Sequence, residues 1–155
     1  MRRIFVVLII SLLFFTGCEN TKENEKSKYL SMKSELLSVK DFTNYEDLNC
    51  DIVVNIDRIN SEKYSYEMII SNPKENMNNI KALLIHNYYS EDLFPSIGLF
   101  NNTKSLKAGS DDNIILKGNI KTDKDIDNLK LKLKLLLSYV DDNGNKKDIY
   151  YKTTK

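Results

Sequence analysis

From Leu48 to the C-terminus apolar residues recur at every second position, and that period dictates β-strands with one buried and one wet face. Leu48, Cys50, Ile52, Val54 and Ile56 form the first such set, placing a strand over Leu48–Ile59. Tyr64, Tyr66, Met68 and Ile70 place the next over Lys63–Ser71. Ile80–Tyr89 is apolar at both parities, as expected for a central strand covered on two sides. Phe94–Phe100 carries Pro95 and Gly98, which point to an edge strand or a bulge. A short strand is expected around Leu106, and alternation resumes over Ile114–Ile120. Over Leu129–Val140, Leu131, Leu133 and Leu135 face in while Lys130, Lys132 and Lys134 face water. Asp142, Asn143, Gly144 and Asn145 then turn the chain. Asn143-Gly144 predicts a two-residue type I′ turn with positive φ at both central residues. Lys146–Thr153 returns antiparallel, with Ile149 and Tyr151 on one face and Tyr150 on the other.

About seven strands with turn signals near every tenth residue predict an all-β domain, an antiparallel sandwich over residues 46–155. Its architecture resembles the immunoglobulin-like modules. The Cys, Trp, Cys signature of antibody domains is missing, since the chain has no Trp and only Cys50 in this region. The resemblance is therefore to the wider sandwich group, and stability must come from packing rather than a disulfide. Cys50 alternates with apolar residues, which predicts a buried small hydrophobe rather than a nucleophile.

Ahead of the domain lies a different kind of sequence. Arg2 and Arg3 precede an unbroken apolar run, Ile4 to Phe15, too short to span a bilayer as a helix. Phe15, Thr16, Gly17 and Cys18 follow. This arrangement is similar to the lipobox of bacterial lipoproteins, with Phe15 departing from the usual Leu, Val or Ile. The resemblance implies a signal peptide over residues 1–17, cleavage before Cys18, a diacylglycerol thioether on its sulfur, and further acyl chains such as palmitate. Two or more chains anchor stably where one alone is marginal. The implied location is the cell membrane, facing outside the cytoplasm, with the lipid as the membrane contact.

Residues 18–45 link anchor to domain. ENTKENEKSK is charged and apolar-poor, the composition of a solvated tether. After it, Tyr29, Met32, Leu36 and Val39 recur at helical spacing, so Lys28–Lys40 is expected as a short amphipathic helix, either transient or an ordered lead-in packing on the domain, in preference to a partner-binding helix. The whole chain carries 23 basic and 22 acidic residues, and losing Arg2 and Arg3 takes the net charge from +1 to about −1. That balance argues against nucleic-acid binding and against electrostatic capture by an anionic surface.

The residues assemble no specific catalytic motif, and none that calls for a cofactor or metal. His86 is the sole histidine and shares its parity with Ile80, Ala82 and Leu84, which predicts a partly buried, hydrogen-bonded side chain rather than a base. Asp123, Asp125 and Asp127 alternate as in the start of a calcium loop, but Asn128 and Lys134 stand where such a loop needs Gly and Glu. Thr122 and Asp125 instead predict a capping pair for one helical turn, with Ile126 and Leu129 tucked beneath it. Lysines 130, 132 and 134 are expected to solubilise a leucine-rich strand rather than bind polyanions.

Tyr88, Tyr89, Phe94 and Phe100 make the most aromatic stretch; core packing is the first expectation for most of them, and if their loop is exposed they are the candidate contact residues for an envelope protein or a glycan. The preferred functional expectation is a non-enzymatic, membrane-anchored surface lipoprotein with a binding or accessory role. The competing one is a small lipid-anchored hydrolase or metal-binding protein with an unconventional acidic site.

Overall fold

The computed structural model describes residues 17–155. The expected signal peptide, residues 1–17, therefore lies outside the described residues except for Gly17. Among the described residues one helix, α1 (Gly17–Ser38), precedes eight strands: β1 (Asp51–Asn60), β2 (Lys63–Ser71), β3 (Met77–His86), β4 (Ser96–Ile97), β5 (Lys104–Leu106), β6 (Ile114–Lys121), β7 (Lys132–Val140) and β8 (Lys146–Thr154). Single 3-10 turns lie at Tyr45–Asp47 and Ile126–Asn128. No helix among the described residues is long and apolar enough to cross a membrane.

The strands form an antiparallel β-sandwich. One sheet has the order β1-β2-β6, and the other β4-β3-β7-β8, with β5 also pairing β3. Leaving aside the two short strands, these orders match the A-B-E and C-F-G groupings of immunoglobulin-like sandwiches. The count is eight rather than about seven because the extended stretch after Phe94 pairs at Ser96–Ile97 alone, and a separate Lys104–Leu106 segment pairs the beginning of β3. Asn79, at φ 52, marks the irregularity in β3 where its register to β7 shifts between Asn78 and Lys81.

The period-two residues meet between the sheets. Cys50, Ile52, Tyr64, Tyr66, Met68 and Ile70 from one side pack against Ile80, Ala82, Leu84, Leu133, Leu135 and Leu137 from the other. Cys50 is buried as expected, and burial pushes its thiol pKa up to about 11. Ile149 and Tyr151 join this core, while Tyr150 faces the opposite side of the second sheet.

That opposite side is also apolar, and α1 covers it. Tyr29, Leu36, Leu83, Ile85, Leu99 and Leu136 are buried together, with Met32, Phe42, Phe94 and Tyr150 packed against them. The helix is docked rather than transient, and the chain is already helical from Gly17, well before Lys28. The stretch expected as a solvated tether is thus helical. Glu and Lys are good helix formers, and the Glu23/Lys26 and Glu25/Lys28 spacings place opposite charges on adjacent turns. Docking at Tyr29 and Leu36 supplies the stability that a short isolated helix lacks.

Two local expectations are corrected. The β7–β8 connection is a three-residue loop, Asp142 to Gly144, closed by the Gly144 N–H donating to the Asp141 carbonyl at 3.0 Å. Only Gly144, at φ 80, is left-handed there, so the two-residue type I′ turn does not form. Asp141 decides this, because its carboxylate accepts the N–H groups of both Asn143 and Asn145 at 2.9 Å. Around Ile126–Asn128 the helical turn is present, but Asp125 sits at its N-cap without a side-chain cap bond, and Thr122 Oγ1 accepts from the Lys124 N–H. Leu129 is buried there, whereas Ile126 is exposed.

Because Leu36 is fully buried between helix and sheet, Leu36→Ala is expected to lower unfolding free energy by about 2–5 kcal/mol. Urea denaturation of the full chain followed by circular dichroism checks this, and a loss below about 1 kcal/mol would mean that the helix is not structurally coupled to the sheet.

Candidate functional site

Loops at opposite ends of the sandwich hold the polar clusters, and each end keeps one buried hydroxyl without a partner among the described residues, Ser110 Oγ at the Glu75 end and Tyr66 Oη at the other. At the end bearing the β7–β8 loop, Glu75 accepts hydrogen bonds from Lys147 Nζ at 2.7 and 2.9 Å, from Tyr139 at 2.5 Å and from Asn49 at 2.8 Å. Lys147 also lies 3.6 Å from Asp141. The Lys147 bond, then the Tyr139 bond, holds the Glu75 carboxyl below its usual range. Burial, reinforced by Glu75, raises Tyr139 to about 12. Asp141 is held low first by the Asn145 backbone N–H. These groups spend their hydrogen-bonding capacity on one another, tying the β2–β3 connection to β7 and β8.

At the other end the loop from Asn87 to Pro95 is pinned at both flanks. Asn87 Nδ2 donates to the Lys130 carbonyl at 3.1 Å, and Asn87 Oδ1 accepts the Lys132 N–H at 2.8 Å. The Phe94 N–H donates to Tyr29 Oη at 2.9 Å, linking the far flank to α1. Between these clamps, Tyr89 is 83 % exposed and Leu93 63 % exposed.

Beneath this loop is a cleft of about 150 Å3 lined by residues that include Tyr66, His86, Ser90, Asp92, Gly118 and Asn119. Tyr66 and Gly118 are cross-strand partners on β2 and β6. The Tyr66 phenol lies across Gly118, so a Cβ there would overlap the phenol oxygen and come within 2.9 Å of Pro95 Cγ. Glycine is required here by close approach of a ring to the backbone. Tyr66 is 1 % exposed, and its hydroxyl has no hydrogen-bond partner among the described residues. Burial raises its pKa further, with Tyr29 a smaller contributor.

His86 stands edge-on to Tyr66 and Phe94, with ring centroids 5.4 and 5.0 Å away. Its Nδ1 accepts the Tyr88 N–H at 3.2 Å, which leaves the proton of the neutral ring on Nε2. Burial lowers its pKa. At neutral pH the cleft therefore presents a neutral imidazole and a protonated phenol, both suited to hydrogen bonding.

The four aromatic residues expected as contacts are divided by the fold. Tyr89 projects from the loop, and Tyr88 is partly buried against the inter-sheet core. Phe94 packs with the helix layer under Lys33, whose Nζ is 4.9 Å from the ring centroid. Phe100 is 39 % exposed and tilts against Tyr29 at 5.4 Å. Phe94 and Phe100 thus serve the helix–sheet interface. Cys18 lies in the first turn of α1.

No group of three His, Cys, Asp or Glu side chains with metal-binding proximity occurs among the described residues. In the acidic segment, Asp125 lies 3.5 Å from Arg58 in an exposed ion pair. The lysine stripe is not uniformly wet: Lys134 is half-buried, and its Nζ sits 5.4 Å from the Phe42 ring centroid, opposite Lys152 at 4.8 Å. Its parity continues into Leu136, which α1 buries.

Sequence reasoning passed over Tyr66 as a site residue because its period marks it as core, which it is. The available signal was Gly118, which interrupts the Ile114, Leu116, Ile120 alternation and so marks a close approach. No protein-family model, curated protein or solved structure matches this chain.

Two outcomes follow from this geometry. Tyr66→Phe removes an unpartnered hydroxyl and is expected to change stability by less than about 1 kcal/mol, whereas Gly118→Ala must displace the ring and is expected to cost about 1–3 kcal/mol. Denaturant titration distinguishes them, and a large loss in Tyr66→Phe would reveal a structural partner for the phenol.

The depressed His86 pKa sets a sign for pH dependence. The unfolded chain binds the proton more readily, so the His86 contribution is fully present above the ordinary value of 6.5. It declines as pH falls through that value and levels off below the folded pKa. The slope of stability against pH in this window is expected to vanish in His86→Gln.

Proposed function

We propose that this chain is a membrane-anchored bacterial surface lipoprotein whose sandwich acts as a non-enzymatic binding module. The observation that carries the reading is the Phe15-Thr16-Gly17-Cys18 segment at the end of a positively flanked apolar leader. Cys18 is the lipidated residue in this reading. The helix, described from Gly17, joins that position to the domain directly: Tyr29, buried against the sheet, is eleven residues on, about 16 Å of helical rise. A helical spacer of this kind holds the sandwich close to the bilayer and limits its reach.

The binding role is supported by the exposed apolar side chains of one loop. That end displays Tyr89 and Leu93 above the cleft, and it faces an envelope protein or glycan in this reading.

Cys18→Ser is expected to abolish labelling by radioactive palmitate and to move the protein from the membrane fraction to the soluble one. Cys50→Ser is expected to leave both unchanged, because Cys50 is buried between the sheets. Retention of Cys18→Ser on membranes without label would overturn the lipid anchor.

A further inference from the structure

We propose that the β4 edge of the domain lies on the bilayer surface, with Leu93 and Phe100 seated in the interfacial layer and Lys22 and Lys26 on lipid phosphates. The inference rests on the lipid-anchor reading and adds to it which side of the domain meets the membrane.

The place where the anchor joins the domain is the first argument. β4 is an edge strand of the second sheet, and Leu93 and Phe100 flank it in the chain. Both line one hollow with Lys22, Glu25 and Lys26 of α1, so the early turns of the helix lie at this edge. Lys22 follows Cys18 by four residues, about 6 Å of helical rise, and Lys26 by eight, about 12 Å. A lipid on Cys18 keeps the bilayer within that reach.

The second argument is what this edge exposes. Leu93 is mostly exposed, and Phe100 keeps an open side beyond its contact with Tyr29. Apolar side chains gain free energy at the boundary of headgroups and acyl chains. Because the anchor already confines the domain to the surface, the contact is intramolecular and a small apolar area suffices. Lys22 and Lys26 are exposed. Their stems can lie along apolar surface while the ammonium groups meet phosphates.

A second apolar surface competes on exposure but not on position. Val53, Ile69 and Ile115 form a cross-strand row on the outer face of the first sheet, with Val53 and Ile115 about half exposed. That face is on the far side of the sandwich from α1, so the anchor does not bring it to the bilayer. Tyr89 lines a separate hollow with Lys63 and Lys121 and stays free for a partner.

The chain has no Trp, so Leu93→Trp, at an exposed position, carries its only indole. The lipidated full chain is reconstituted in vesicles of phosphatidylethanolamine and phosphatidylglycerol, with and without brominated acyl chains. Emission from Leu93→Trp and from Phe100→Trp is expected to shift to shorter wavelength on reconstitution and to be quenched by the brominated lipid. Emission from Val53→Trp is expected to stay unquenched. Unquenched Leu93→Trp in a chain that floats with the vesicles overturns the proposal. A shift to shorter wavelength without quenching overturns it too, since that is the signature of a protein partner or a second copy at this surface. Quenching of Val53→Trp equal to that of Leu93→Trp also overturns it, because the domain then has no defined membrane side. A lipid-treated chain that fails to float overturns the anchor itself, so the two failures are read separately, by flotation and by quenching.

Discussion

The second sheet is apolar on both faces, and this condition organises the rest of the molecule. Leu84 and Leu135 pair on the face turned to the first sheet, while their neighbours Leu83 and Leu136 pair on the other. A two-layer sandwich would leave Leu83, Ile85 and Leu136 in water. Burying each side chain of this size contributes about 1.5–3 kcal/mol, so a third layer is strongly favoured. Helix α1 is that layer, and the same contact makes a helix of otherwise marginal stability persist.

The helix also shapes the loop end of the domain. Tyr29 fills the helix–sheet core with its ring and accepts the Phe94 N–H with its hydroxyl, fixing the far flank of the Asn87–Pro95 loop. Asn87 fixes the near flank on the Lys130–Lys132 segment. With both ends held, Tyr89 and Leu93 are displayed and the cleft beneath them is held in shape. The opposite end is locked through Glu75, Lys147 and Tyr139.

Strands with strong alternation were legible in the sequence almost to the residue, as Lys63–Ser71 shows. The two-sided apolarity of Ile80–Tyr89 was legible too, but the identity of the covering layer was not. A period-3.6 stripe at Tyr29, Met32 and Leu36 says that a helix has a buried face, without naming the surface that buries it. The polar turns ahead of that stripe carry no burial signal, so composition alone read them as solvated chain. The β7–β8 turn went astray for a similar reason. Asn143-Gly144 favours a two-residue loop by local propensity, but Asp141 captures two backbone N–H groups and selects a longer one.

The sequence by itself determined that residues beyond Leu48 would pair as antiparallel strands around an aliphatic and tyrosine core, because side-chain parity along a strand is a local property. It also determined the resemblance of its leader to a lipobox, which is contiguous. Only the tertiary structure decided which aromatic residues are displayed and which are structural, separating Tyr89 from Phe94 and Phe100. It alone brought Tyr66, His86 and Gly118 to one cleft. Those three sit on strands far apart in the chain, and cross-strand register and sheet packing, which depend on the whole fold, set their distances.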